Sequence, residues 1–233
     1  MNSSSIATRS RRPTVLKHPS ASLFGLVVAL LGAPAFIFIF RLLTGESRSN
    51  LQVFGREIGV FCLAAILLWI IKTQEQLPLA SIGVQFDRLG RSLGRGFALG
   101  IALLVVSVGL YVLLPKVGLH IGDGARGSFQ PSLWLVSLVV FRAGVVEELF
   151  YRGFAIERLR SLTGNTWFAA LVPLAVFAAA HYRQGLGSVL TAAILGGLLT
   201  IFYLKCRDLI ANMAAHFFVD FVLNVGIPLV SHA

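Results

Sequence analysis

The sequence predicts an all-α, polytopic bundle of about seven transmembrane helices, and three observations predict it. Of the 233 residues, 56% are hydrophobic and 13% charged, with mean hydropathy +0.82, whereas soluble chains run at about 45–50% apolar and about 25% charged. Uncharged stretches near the ~20 residues that a spanning helix needs recur along most of the chain. The ten-residue alternation of a transmembrane β-barrel is not there. No polar block is large enough for a separate soluble domain, so the expectation is a basic tail over 1–20 followed by one integral membrane domain over 21–233.

The tail, with Ser3 to Ser5 and Arg9 to Pro13, has the composition of a disordered segment beside anionic lipid. The first span is 21–40. Its Ala33-Pro34-Ala35 imitates a signal-peptidase site, but the apolar run continues through Phe40, which favours an uncleaved helix. The second run, 58–71, is short and reaches spanning length from Leu51 if Arg56 and Glu57 snorkel. The third is 96–115. The fourth, 131–151, is interrupted by Arg142, Glu147 and Glu148; the fifth and sixth, 161–180 and 184–204, are clean; the seventh, 209–230, carries His216 and Asp220. Residues 74–95 are mixed and read as an amphipathic piece at the interface, and 116–131 as a Gly-rich loop without a ligand motif. Cys62 and Cys206 fit neither a disulfide framework nor a CxxC metal site. No internal repeat is visible.

Twenty Lys and Arg against ten Asp and Glu give a formal charge of +10. In a soluble protein that balance points to nucleic acid. Here the cations sit in short connections between apolar runs, so the partner they indicate is the lipid bilayer and not a nucleic acid. An inside N-terminus places thirteen cations in the cytoplasm (Arg9, Arg11, Arg12, Lys17, Lys72, Arg88, Arg91, Arg95, Arg152, Arg158, Arg160, Lys205, Arg207) and six outside (Arg41, Arg48, Arg56, Lys116, Arg126, Arg183). The expected topology is N-in, C-out.

A charge at the bilayer centre costs about 2.5–3.5 kcal/mol on insertion scales, so ionisable residues inside spans face the bundle interior and mark function. They concentrate in three late spans. In the fourth, Glu148 and Arg152 stand at i,i+4 with the acid first, the better order for an ion pair. Glu147 is turned about 100° away and has no local partner; by helical angle Arg142 stacks on neither glutamate and reads as structural or snorkelling. In the fifth, Phe177 and His181 share a face. In the seventh, His216 and Asp220 repeat the i,i+4 spacing with Asn224 one turn on. Two imidazoles, a free carboxylate and an Asp on three helices converge only inside a bundle, where they are compatible with a hydrolytic or a metal site. Phe177 reads first as a core aromatic and the Glu148–Arg152 pair as a brace that orients Glu147. Glu46, Glu57 and Asp123 read as solvated or interfacial charges, and His232 has no argued partner.

EExxxR as Glu147, Glu148 and Arg152, FxxxH as Phe177 and His181, and HxxxD as His216 and Asp220 together resemble the CPBP intramembrane proteases. That family includes CAAX prenyl endopeptidases and the bacteriocin-processing or immunity proteins called Abi. The motif-bearing region is about 131–224. The resemblance implies that Glu147 acts with His181 to activate water, while His216 and Asp220 stabilise the oxyanion or complete the polar site. Many members carry Asn where Asp220 stands, and an Asp donates to an oxyanion only when protonated.

The expectation is therefore a membrane endopeptidase, metalloendopeptidase-like, hydrolysing a membrane-associated protein or peptide, with site residues Glu147, Glu148, Arg152, His181, His216 and Asp220. A divalent metal such as zinc on Glu147, His181 and His216 is compatible with the sequence, which has no HExxH and requires none. The alternative is a non-catalytic immunity or scaffolding protein, or an ion-coupled transporter. Depth adds a condition. His181 lies about 22 Å beyond the start of its span near Thr166 and His216 only about 12 Å beyond Asp208. Agreement needs the fourth helix to run past Arg160, and the site would then open toward the cytoplasmic half.

Overall fold

The computed structural model describes residues 18–46, 48–122 and 129–231, and among them no strand occurs. Of the tail expected over 1–20, residues 1–17 lie outside the described residues, as do Asp123, Arg126 and His232, while Pro19 and Ser20 already belong to the first helix. Seven helical stretches follow in order: α1 (Pro19–Thr44), α2 (Asn50–Gln74), α3 (Phe86–Val117), α4 (133–163), α5 (Thr166–Ala179), α6 (Leu186–Cys206) and α7 (Leu209–Val230). Five of them, α1, α2, α3, α6 and α7, are long and apolar enough to cross a membrane. This is a multi-pass integral membrane protein.

The two exceptions have physical reasons. At 14 residues α5 rises only about 21 Å, short of a ~30 Å hydrocarbon core, because the apolar run at 161–180 is divided. Its first residues belong to α4, which ends at Thr163 on a left-handed Gly164 (φ 67°). Asn165 then caps α5 by accepting from Phe168 N at 3.0 Å. The fourth helix thus runs past Arg160, as the depth of the two histidines requires. It is charged along its length, and Arg142, Glu147, Glu148, Arg152, Glu157 and Arg158 each pair inside the protein.

Four wide, π-type turns interrupt these helices, and the longest by far is Ala143–Ile156 in α4. Such turns are rare and usually single, and they carry i→i+5 bonding. In α1 the wide turn Val28–Gly32 directly precedes Pro34, whose missing N–H and ring would break a regular α turn.

The bundle has two ends. At the first, Arg158, 0% exposed, forks onto Glu75 at 2.7 and 2.9 Å. Glu75 also accepts from Ser22 at 2.6 Å, tying α1, α2 and α4 together. Arg207 pairs with Glu157 at 2.7 Å, and Asp208 caps α7 through Ala211 N and accepts from Ser92 at 2.9 Å. Residues 74–95, expected as a surface amphipathic piece, are two 3-10 turns that bury Ile82 and then enter α3 by Leu89. At the second end Gly122 N donates to Ser188 Oγ at 3.0 Å, Ser132 N to Asn50 Oδ1 at 3.1 Å, and Arg183 to Glu46 at 2.7 Å. The core lies between, built on Phe150, Phe154, Leu67, Ile70 and Tyr203.

Candidate active site

α4 enters the site with two glutamates on different faces. Glu148 is 0% exposed. Its Oε1 accepts from Arg152 Nη1 at 2.8 Å and meets His216 Nδ1 at 2.9 Å, and its Oε2 accepts from Asn212 Nδ2 at 3.1 Å. Arg152 donates from Nη2 to Gly196 O at 3.0 Å and from Nε to Thr200 Oγ1 at 3.5 Å, and lies over the Phe177 ring at 4.4 Å. Two glycines permit this. A Cβ at Gly144 would stand 2.8 Å from the Phe217 backbone, so the residue lets α4 approach α7; one at Gly196 would stand 2.7 Å from Arg152 Nη2.

Glu147 has a partner, contrary to the sequence reading. Arg142 Nη1 donates to its Oε1 at 2.5 Å. On a regular helix of 3.6 residues per turn, positions five apart point about 140° from each other; the wide turns that begin at Ala143 bring them onto one side. Glu57, expected as an interfacial charge, is also 0% exposed. It accepts from Arg142 Nε at 2.7 Å and from Arg56 at 2.7 to 2.8 Å. Arg142 is thus a buried bridge between two carboxylates rather than a snorkelling cation.

On α5 and just past it, His181 Nδ1 lies 2.8 Å from Phe177 O. A carbonyl only accepts, so Nδ1 carries the proton, and in the neutral tautomer Nε2 is the acceptor. Phe177 is buried and edges the rings of Tyr151, His181 and His216 at 5.3, 5.0 and 6.2 Å. On α7, His216 Nε2 faces Asp220 Oδ2 at 3.5 Å, and Asn224 donates to Asp220 O at 2.9 Å.

A cavity of about 340 Å³ has Glu147, His181, His216, Asp220 and Asn224 in its walls. Glu148 and Arg152 do not line it; they stand behind the wall. A second, more apolar cavity of about 650 Å³ runs between α1 and the α4–α5 wall and shares Arg142, Glu147, Phe177, His181 and Gln184 with the first. The first reaches Ile121, Gln184 and Ser188, at the second end of the bundle. The expected opening at the 164–165 end is not what the walls give, because His181 lies beyond the last residue of α5, next to the turn that joins α6.

The metal reading meets an obstacle in the donor set. Among the described residues no three of His, Cys, Asp or Glu are grouped closely enough to hold an ion. Arg142 already occupies Glu147 Oε1. Glu147, His181 and His216 share a cavity without forming a ligand set.

Residues 129–222 match the family model of type II CAAX prenyl endopeptidase, Rce1-like. The matched stretch takes in every residue of the three motifs and agrees with the resemblance to CPBP proteins. The name of that family speaks for a protease working on membrane-associated substrates. No curated protein and no solved structure matches the chain. Glu57 and Arg56 lie outside the Rce1-like match. Asn212 lies inside it and was missed, although its position four residues before His216 continues the 216, 220, 224 stripe. For Glu57 the sequence held no signal beyond a carboxylate beside an apolar run.

Proposed function

We propose that this protein is a CAAX-type intramembrane endopeptidase that hydrolyses a peptide bond in a membrane-associated protein or peptide. The observation that carries the reading is that Glu147, His181, His216 and Asp220, from separate parts of the fold, line one cavity. A water between Glu147 and the His181 Nε2 acceptor gives a proton to Glu147 as its oxygen attacks the scissile carbonyl carbon. The carbonyl π pair moves onto oxygen. His216 lines the same cavity; with a carboxylate near each nitrogen, the doubly protonated ring donates through Nδ1 to Glu148. The 3.5 Å gap to Asp220 exceeds a close N–H···O bond, so the Nε2–H is left to donate to the oxyanion, and Asp220 acts as the counter-charge of the ring rather than as a donor. Collapse breaks the C–N bond, the proton held by Glu147 passes to the leaving amine, and the other product leaves as an acid. General-base and oxyanion contributions of this kind are each worth about 10² or more in rate.

The adjoining apolar cavity suits the apolar part of a lipid-modified or membrane-embedded substrate, because it ends at Glu147 and His181. With the N-terminus inside, as the cation balance predicts, the end bearing Ile121, Gln184 and Ser188 faces outward. A reporter fused after Ala233 that works only outside the cytoplasm supports that orientation, and one that works only inside overturns it.

The test of function is a comparison of membrane proteomes from cells lacking the protein and cells carrying Glu147→Ala. A truncated product missing from both names the substrate. A folded Glu147→Ala protein that still supports the product contradicts the reading and returns the chain to a scaffolding, immunity or transport role.

A further inference from the structure

Outside the three motifs, Arg142 contacts Glu147 directly, and Glu57 in turn holds Arg142. We propose that Arg142, gripped by Glu57, is a positioning residue that fixes the Glu147 carboxylate for catalysis. The inference rests on the proteolytic reading above.

The geometry is specific. Arg142 uses Nε on Glu57 Oε2 at 2.7 Å and Nη1 on Glu147 Oε1 at 2.5 Å, so one planar fork sets the distance and angle between two carboxylates on different helices. Glu57 is fully buried and lines neither cavity, whereas the Glu147 side chain is 21% exposed and lines both. Glu57 is held a second time by Arg56, which keeps the far end of the fork still. The four charges of Arg56, Glu57, Arg142 and Glu147 sum to zero, with Glu147 balancing the second guanidinium. Charge balance alone does not require that this carboxylate be turned into a cavity, as it is. With Oε1 held, Oε2 of Glu147 carries no hydrogen bond among the described residues, and it is the oxygen left to take the proton of water. The wide helical turns starting at Ala143 are what allow the i,i+5 reach, so the unusual backbone has a use at this place.

The experiment takes full-length protein in lipid nanodiscs with a prenylated CAAX peptide as the probe, and variants Arg142→Gln, Arg142→Lys and Glu57→Gln. Rates are normalised to folded protein. Because misplacement of a catalytic group by about 1 Å can cost about 10²-fold, Arg142→Gln is expected to lower kcat about 100-fold with KM held within about twofold. Glu57→Gln is expected to lower it about tenfold, and Arg142→Lys to fall between Arg142→Gln and wild type. In parallel, the Glu147 carboxylate stretch, isolated as an infrared difference against Glu147→Gln, should shift in both Arg142→Gln and Glu57→Gln. Loss of melting temperature with kcat unchanged and the band unmoved overturns the proposal and leaves a structural ion pair. If Arg142→Gln does not fold, Glu57→Gln, which leaves Arg142 and Glu147 in place, decides. If wild-type protein does not cleave the peptide while the band still shifts, the proteolytic reading fails on this substrate and the positioning contact stands.

Discussion

On the α7 side of α4, Glu148 sits at 0% exposure with Arg152, Asn212 and His216 on its two oxygens. On the α2 side, one residue earlier, Glu147 keeps one oxygen on Arg142 and turns the rest of its carboxylate into a cavity. The first environment is saturated. Every lone pair that matters has a donor, and a group in that position can hold helices together and orient an imidazole but cannot reach a substrate. The second is half satisfied, with a cation to fix the carboxylate and open space for water. On the function proposed above, adjacent carboxylates divide into a brace and a base because the helix places one against protein and the other against a void.

The comparison breaks most visibly at Glu148. Glu148→Gln leaves Arg152 buried without its counter-charge, and removing one partner of a buried pair costs about 3–5 kcal/mol. The expected outcome is a sharp loss of folded yield and of melting temperature in detergent, with part of the yield recovered by adding Arg152→Gln. A well-folded Glu148→Gln protein would show that the nest around it is not what joins α4 to α7. Gly196→Ala should be next in size. Its new methyl would stand 2.7 Å from Arg152 Nη2 and 2.9 Å from the Phe177 ring, and overpacking of this kind costs about 1–3 kcal/mol; thermal unfolding measures it. Removing the α7 cap with Asp208→Ala should cost about 1 kcal/mol, since it releases Ala211 N. Arg183→Ala, which releases the exposed pair with Glu46 at the second end of the bundle, should cost at most about 1 kcal/mol in the same assay. The smallest effect belongs to chelation. Thorough treatment with a divalent-metal chelator should leave cleavage unchanged, and loss of activity restored by zinc would require the Arg142–Glu147 contact to open for an ion.

The fold class and the site helices were legible because composition and long apolar runs are strong signals. The Glu148–Arg152 and His216–Asp220 pairs were legible because i,i+4 spacing brings side chains together on any ordinary helix. Arg142–Glu147 was not, since i,i+5 contact depends on wide turns that the sequence does not announce. Glu57 was hidden for a different reason. A lone acid beside an apolar run reads as interfacial until a partner from a helix 85 residues away is known. Seven spans were expected and five helices are long and apolar enough to cross a membrane; the shortness of α5 was hidden by a third cause, since one apolar run, 161–180, contains the end of one helix, a cap and the start of another.

The measurement that most directly tests the division between base and brace is single-turnover cleavage by purified Glu147→Gln, read beside its melting temperature. The substitution keeps size and hydrogen bonding but removes the proton acceptor. The expected result is a rate lower by about 10²-fold or more at a melting temperature close to that of wild type, with no second change restoring it. Wild-type cleavage by Glu147→Gln, together with an inactive but well-folded Glu148→Gln, would contradict it and exchange the two roles.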